Sequence, residues 1–204
     1  MDAPAKILLA SSNRGKLAEF QALAAAATGP IPAMELFPGF ASLPQFEESS
    51  PTFAENAAGK ASHYSRFTEL PVLADDSGLV VPALDGAPGV HSARYAGPGA
   101  SDSDRIQKLI SEMRGKTGDA RAARFVCVLA VALHGRVYAV TSDFAGGCLL
   151  DAPRGTGGFG YDPVFYMSDV HKTFAELSRE EKNRLSHRGR AFRRMLGTLT
   201  ASSV

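Results

Sequence analysis

Apolar positions along this chain switch between runs, which suit buried strands, and a spacing of three and four, which suits helices. Lys6 to Ala10 reads as a short buried strand, Ser11 to Lys16 as a polar turn, and Leu17, Phe20, Leu23 and Ala24 as one face of a helix. The Pro- and Gly-rich stretch 28–46 reads as strand and loop without a clear boundary. Thr52-Phe53-Ala54-Glu55 has the capping-box pattern, and Phe53, Ala57, Ala61 and Tyr64 carry a helix on to about Arg66. Two apolar runs, Val72 to Ala74 and Leu79 to Val81, each read as a strand and flank Asp75-Asp76-Ser77-Gly78. Gly86 to Gly89 and Gly97 to Gly99 mark loops around Ser92 to Tyr95, and Ile106, Leu109, Ile110 and Met113 predict a helix after them. Phe125 to Leu133 and Val137 to Thr141 read as a hairpin joined by His134-Gly135-Arg136, with His134 a plain turn residue. A glycine-rich loop covers Gly155 to Pro163, and Ser178-Arg179-Glu180-Glu181 is a second capping-box pattern opening the last helical region.

Composition narrows the class without naming a function. At 204 residues and 45% hydrophobic content the chain can bury one sizeable core, or one core with a cleft between two lobes, and no linker or repeat divides it. It is read as a single domain over residues 1–204. The longest strongly apolar run, Val126 to Leu133, is too short to cross a bilayer, and Met1-Asp2-Ala3-Pro4-Ala5 lacks signal-peptide features, which points to the cytosol and away from a membrane. Cys127 and Cys148 offer neither a disulfide framework nor zinc spacing. A formal net charge of +1 argues against a surface built for nucleic acid.

Adjacent carboxylates at the end of a strand are costly unless a metal ion or donors compensate them. Successive strand residues face opposite ways, so one of Asp75 and Asp76 should face a cleft and the other a supporting hydrogen bond, with Asp76 assigned to the cleft. Taken alone, Asp-Ser-Gly is more ordinarily a turn between two strands. The turn from Ser11 to Lys16 precedes a helix whose free N–H groups attract anions, and Arg14 and Lys16 add positive charge, so it suits phosphate. It is not a Walker A loop, since Ala10 and Leu17 stand where glycine and Ser or Thr are needed; a serine-capped helix with solvated basic residues is the alternative. Glu47, Glu48 and Lys60 read as a solvated face unless they share a cleft with Asp76. In the glycine-rich loop, Phe159 or Tyr161 could cover a planar ring and Asp162 accept its N–H groups, or the aromatics could simply pack. Lys182, Ser186, His187, Arg188, Arg190, Arg193 and Arg194 make the last helical region basic, and Ser-His-Arg can offer several donors to one ligand.

Together these segments resemble the inosine triphosphate pyrophosphatases, which remove non-standard purine nucleotides. The match rests on Ser-Asn-x-Gly-Lys at 12 to 16, Thr-Phe-x-Glu-Asn-Ala-x-x-Lys-Ala at 52 to 61, Ala-Asp-Asp-Ser-Gly at 74 to 78 and Gly-Gly-Phe-Gly-Tyr-Asp-Pro at 157 to 163, in the family's order. Glu-Glu-Lys-Asn at 180 to 183 and Ser-His-Arg at 186 to 188 complete it. The resemblance implies an α/β fold with an elongated mixed central sheet flanked by helices, two lobes facing a substrate cleft, and a homodimer. It implies magnesium-dependent hydrolysis of inosine, deoxyinosine or xanthosine triphosphate to monophosphate and pyrophosphate. By position, Asp76 would be the catalytic base and a Mg2+ ligand, with Glu47 or Glu48 as its acidic partner. Ser11, Ser12, Asn13, Arg14, Gly15 and Lys16 would hold the triphosphate, with Lys60 and Ser77 also on substrate. Phe159, Gly160, Tyr161 and Asp162, with Lys182, His187 and Arg188, would enclose base and phosphates. Ser12 departs from the glycine of many members, so a positive φ there would strain the turn.

The chemistry is self-consistent. A triphosphate calls for cationic side chains, helix N-termini and a hard cation with oxygen ligands, and a carboxylate can orient or deprotonate water for in-line attack at the α-phosphorus. Donors aimed at a purine 6-oxo group would reject a 6-amino group. Two other classes fit parts of the sequence: a non-catalytic purine-nucleotide sensor, and a nucleic-acid binder using Arg184 to Arg194. A pyrophosphatase for modified pyrimidine triphosphates is the competing enzyme.

Overall fold

The structure, a computed structural model, describes residues 5–27 and 31–201. The N-terminal Met1 to Pro4 and the start of the Pro- and Gly-rich stretch, residues 28–30, lie outside the described residues.

A seven-stranded mixed sheet flanked by helices organises the chain. The strands are β1 (Lys6–Leu9), β2 (Ala33–Leu36), β3 (Val72–Val80), β4 (Ala122–Leu133), β5 (Arg136–Leu149), β6 (Phe165–Met167) and β7 (Lys172–Thr173), in the order β2-β1-β3-β4-β5-β6-β7. β1 pairs in parallel with β2, Lys6 opposite Ala33, and with β3, Leu8 opposite Val72. β6 is antiparallel to both β5 and β7. The helices are α1 (Arg14–Ala25), α2 (Phe53–Tyr64), α3 (Asp102–Glu112), α4 (Arg179–Leu185) and α5 (His187–Ala201).

Local chemistry explains the element ends. Asn13, not a serine, caps α1, its side chain accepting from Lys16 N–H at 3.1 Å. Thr52 caps α2 through Glu55 N–H, and Ser178 and Glu181 form the reciprocal capping box expected for α4. A further box, Ser101 with Asp104, starts α3. The two-residue turn His134–Gly135 takes φ of 49° and 79°, both left-handed, which matches the twist of the strands it joins.

Three expectations change. The apolar runs around Asp75-Asp76-Ser77-Gly78 are one nine-residue strand and not two, because Leu73 pairs with Leu9 while Leu79 N–H bonds the buried Ser92 hydroxyl, so the backbone stays extended throughout. The last helical region is two helices broken at Ser186, whose ψ of 155° is extended. The hairpin strands also run beyond their expected ends, to Ala122 and to Leu149.

The chain divides into two compact units, the boundaries falling inside β3, β4, β5 and the first turn of α5. Unit 1 comprises the described residues within 1–76, 127–143 and 188–204, and its core gathers Ile7, Leu9, Phe20, Leu73, Leu129, Phe192 and Met195. Unit 2 comprises 77–126 and 144–187, with Leu79, Ile106, Leu109, Phe125, Val164, Phe165 and Phe174 in its core. Each fully buried Leu, Ile or Phe contributes about 1.5–3 kcal/mol, so each unit has its own hydrophobic anchor for the polar groups described next.

Candidate active site

In unit 1 the middle of β3 carries Asp75 and Asp76, and strand alternation sends their carboxylates to different helices. Asp75 is fully buried; Lys16 Nζ on α1 reaches its two oxygens at 3.0 and 2.8 Å, and Arg188 Nη2 on α5 lies at 3.6 Å. Burial alone would raise its pKa, but Lys16, Arg188 and Lys60 overcome that and hold the carboxyl well below the usual range. Asp76, 7% exposed, accepts from Asn56 Nδ2 on α2 at 3.0 Å. Burial, opposed by the Asn56 hydrogen bond and reinforced by Glu48, pushes Asp76 up to about 6.

Lys60 stands one turn beyond Asn56 on α2, a spacing that puts both on one helix face. Its Nζ donates to Glu48 at 2.5 Å and to the Asp75 backbone carbonyl at 3.0 Å. Burial would lower the Lys60 pKa, yet Asp75 and Glu48 raise it, so the lysine stays charged. Glu48 is half-buried here, whereas Glu47 is exposed. The structure therefore separates two glutamates that sequence leaves equivalent.

Around the start of α1, Ser11 Oγ accepts from Asn13 N–H at 3.0 Å. Arg14, Gly15 and Lys16 form the first helical turn, where backbone N–H groups lack intrahelical acceptors. A Cβ on Gly15 would come within 3.1 Å of Asn13 Oδ1, so glycine leaves the cap room. Ser12 is exposed and is not among the described non-glycine residues with positive φ, which are Asp85, His134 and His171; the turn takes serine without strain.

Arg188 is buried and ion-paired with Glu19 of α1 as well as Asp75. Sequence reading assigned no role to Glu19 or Asn56. Asn56 was visible in principle as a polar residue on the apolar face of α2, and Glu19 as an acid one turn from Lys16.

In unit 2 the loop from Gly157 to Asp162 is tied at several points. Gly157 N–H donates to Ala175 O at 3.0 Å, Phe159 N–H to Asp162 Oδ2 at 2.9 Å, and the Tyr161 hydroxyl to Ser92 O at 2.9 Å. Lys182 Nζ, on α4, donates to the same Asp162 oxygen at 2.6 Å and lies 5.1 Å from the centre of the Phe159 ring. Gly158 needs to be glycine: its φ is 72°, and a Cβ would fall 1.9 Å from Asp162 Oδ2. Tyr161 and Asp162 are buried while Phe159 is exposed, so of the two aromatics only Phe159 offers a face. Burial raises the Tyr161 pKa, keeping the hydroxyl neutral as a donor. The His187 imidazole stacks on Phe125 with centroids 4.8 Å apart and planes at 10°. Ser77, on β3, is half-buried.

No group of three or more His, Cys, Asp or Glu side chains clusters like a preformed metal cage among the described residues. Asp76 and Glu48 are hard oxygen donors beside one another, which suits a cation such as Mg2+ that takes one or two carboxylates and fills its shell with water and phosphate oxygens. The donor set does not suit a soft metal.

A profile of the Ham1 family matches residues 7–198. The chain is 50% identical over 190 residues to a dITP/XTP pyrophosphatase of Geobacillus kaustophilus, covering 93% of this chain and 92% of that one. Among solved structures it resembles a HAM1 protein from Coxiella burnetii, with a TM-score of 0.83 and 41% identity over 96% of this chain and 98% of that one. It also resembles the Ham1 protein of Staphylococcus aureus, with a TM-score of 0.84 and 36% identity over 97% and 99%. A match that spans both units and every motif segment makes this chain a member of the Ham1 family.

Proposed function

We propose that this protein hydrolyses non-standard purine nucleoside triphosphates, those of inosine, deoxyinosine and xanthosine, to the monophosphate and pyrophosphate, with Mg2+ as cofactor. The observation that carries the reading is the pair of unlike carboxylates on β3. Asp75 is locked as an anion among Lys16 and Arg188, while Asp76 is poised near 6 beside Glu48 and Asn56. A dITP/XTP pyrophosphatase from Geobacillus kaustophilus sharing half of its residues with this chain supports the substrate class.

Asp76 accepts the proton of the attacking water, which a carboxylate with a pKa about 6 does well near neutral pH. Asn56 fixes the carboxylate's orientation, leaving the second oxygen for water or cation. Asp76 and Glu48 are the residues to hold Mg2+, with Glu47 set aside by its exposure. When bound, the ion offsets the charge that builds on the pyrophosphate leaving group. Lys16, Arg14 and the first-turn N–H groups of α1, with Ser11, Ser12, Asn13 and Gly15 shaping the turn, take the triphosphate. Lys60 holds Glu48 in place. We assign Arg188 to charge balance at Asp75 and Glu19, since both pair with its buried guanidinium. Base recognition falls to the Gly157 to Asp162 loop with Phe159, Lys182 and His187, and Ser77 completes the substrate contacts.

We further place the protein as a homodimer in the cytosol, acting on free nucleotides and on neither nucleic acid nor membrane. Tyr138 and Val140 are large apolar side chains exposed on one face of β5, a face that a second copy would cover. No helix among the described residues is long and apolar enough to cross a membrane. A panel of nucleoside triphosphates with product identification tests the reading. Inosine and xanthosine triphosphates should be cleaved at least about a hundredfold faster than adenosine triphosphate, releasing pyrophosphate, and chelation should stop turnover. Equal rates, or release of orthophosphate, would overturn it.

A further inference from the structure

α3 opens with two aspartates whose side chains have different destinations. Asp104 turns back on its own helix, its Oδ2 accepting from Ser101 N–H at 2.8 Å in the capping box. Asp102 turns outward, and its Oδ2 accepts from Gly160 N–H at 2.7 Å, fifty-eight residues along the chain. An aspartate placed only to favour a helix N-terminus has no need of such a partner. Both oxygens of Asp102 are engaged, because Arg105 Nη2 pairs with Oδ1. Arg105 is itself fixed, its Nη1 donating to Ala93 O at 2.8 Å and to Ala100 O at 2.9 Å.

These contacts form one chain of fixed groups. The segment around Ala93 and Ala100 holds Arg105, Arg105 sets the rotamer of Asp102, and Asp102 holds the backbone of the glycine-rich loop at its apex. Gly160 has φ 63° and nothing within 4 Å of where a Cβ would stand, so no side chain of its own anchors the apex. The neighbouring Tyr161 hydroxyl reaches Ser92 O at 2.9 Å, a second tie to the same segment. The Ser92 hydroxyl accepts from Leu79 N–H on β3 at 2.9 Å.

We infer that Asp102, held by Arg105, is a positioning residue that sets the apex of the Gly157 to Asp162 loop, and through it the face of Phe159, for the purine base. The inference rests on the proposed role of that loop in base recognition. Asp102 touches no reacting group, so its loss leaves the proton transfer at Asp76 alone and loosens the platform for the base.

The test compares Asp102→Ala, Asp102→Asn and Asp104→Ala by steady-state kinetics on inosine and adenosine triphosphates, and by amide hydrogen exchange across residues 157–162. Asp102→Ala should raise KM for inosine triphosphate about tenfold, the loss of one charge-assisted hydrogen bond, with kcat within about twofold and faster exchange at Gly160. Asp102→Asn keeps an oxygen acceptor and should recover most of KM. Asp104→Ala removes a helix cap of comparable worth and should lower the melting temperature without moving KM. Unchanged exchange at Gly160 in Asp102→Ala, faster exchange with unchanged KM, or an equal KM change in Asp104→Ala would each overturn the inference. A wild-type protein that does not prefer inosine over adenosine triphosphate would instead overturn the assignment of the loop to the base.

Discussion

Unit 1 and unit 2 solve opposite problems with opposite materials. In unit 1 the polar centre is made of full charges on long side chains: Lys16, Lys60 and Arg188 set against Asp75, Asp76, Glu48 and Glu19. Buried charge is costly, and it persists because nearly every ion has a counter-ion within hydrogen-bond reach. Asp76 is the exception, its anion hydrogen-bonded by one amide and favoured besides by the charge on Lys60. In unit 2 the glycine-rich loop is held chiefly through backbone, with carboxylates of Asp102 and Asp162 accepting from N–H groups of Gly160 and Phe159. The difference suits ligands of different kinds. Phosphates and a hard cation demand charge, whereas telling one flat base from another demands fixed donors at short range.

The comparison within β3 breaks first at Asp76. Asp76→Asn should lower kcat by about a thousandfold, since the amide neither takes the water's proton nor holds Mg2+ as a carboxylate does. The same variant should be more stable in chelator at pH 7.5. A folded-state pKa about 6, above the unfolded 3.8, means that ionised Asp76 costs stability above pH 6, and that stability returns as pH falls from 6 toward 4. Asparagine removes that cost, about 3 kcal/mol by urea unfolding. Wild-type kcat/KM in limiting Mg2+ should fall as pH drops below about 6. A kcat near wild type in Asp76→Asn would transfer the base to another residue.

Asp75 should behave in the reverse sense. Asp75→Asn leaves Lys16 and Arg188 without their shared anion in a fully buried place, at a cost of about 3–5 kcal/mol in urea unfolding. Its folded pKa lies below the unfolded value, so its contribution is fully present above about pH 4 and is lost as pH falls from there through the lower folded value. The variant's acid-unfolding curve should therefore be flatter below pH 4 than that of the wild type. Equal stability of the two proteins at pH 7 would remove Asp75 from its structural role.

The smallest effect is expected in unit 2. Gly158→Ala forces a left-handed φ on a residue with a Cβ and pushes that carbon toward Asp162 Oδ2, the acceptor for Phe159 N–H and Lys182. Stability should fall by about 1–2 kcal/mol and KM for the preferred base should rise several-fold while kcat holds. A change in kcat with unchanged KM would place the loop in the chemical step.

Much of the fold was legible because it is written in local signals. The capping patterns at Thr52 and Ser178, the helical face from Leu17 to Ala24 and the turn at His134–Gly135 all act within a few residues, and each appears where expected. Misreadings arose where a distant partner decides. Nothing near Asp-Asp-Ser-Gly announces that β1 and the Ser92 hydroxyl keep the backbone extended through it, so a turn looked natural. Asn13 displaced the expected serine cap, because its side chain, one residue before Arg14 opens α1, is placed to accept from Lys16 N–H.

The sequence alone determined the kind of chemistry present: adjacent carboxylates on a strand, a basic turn ahead of a helix, glycines around aromatics, and motif segments in the order of one family. Tertiary structure decided which charge meets which. It chose Glu48 over Glu47 for Lys60, gave Arg188 to Glu19 and Asp75, and sent Asp102 to Gly160. The physical reason is range. Propensity and capping act over a few residues of chain, while burial, ion pairing and the pKa values they set depend on groups that only folding brings within about 4 Å.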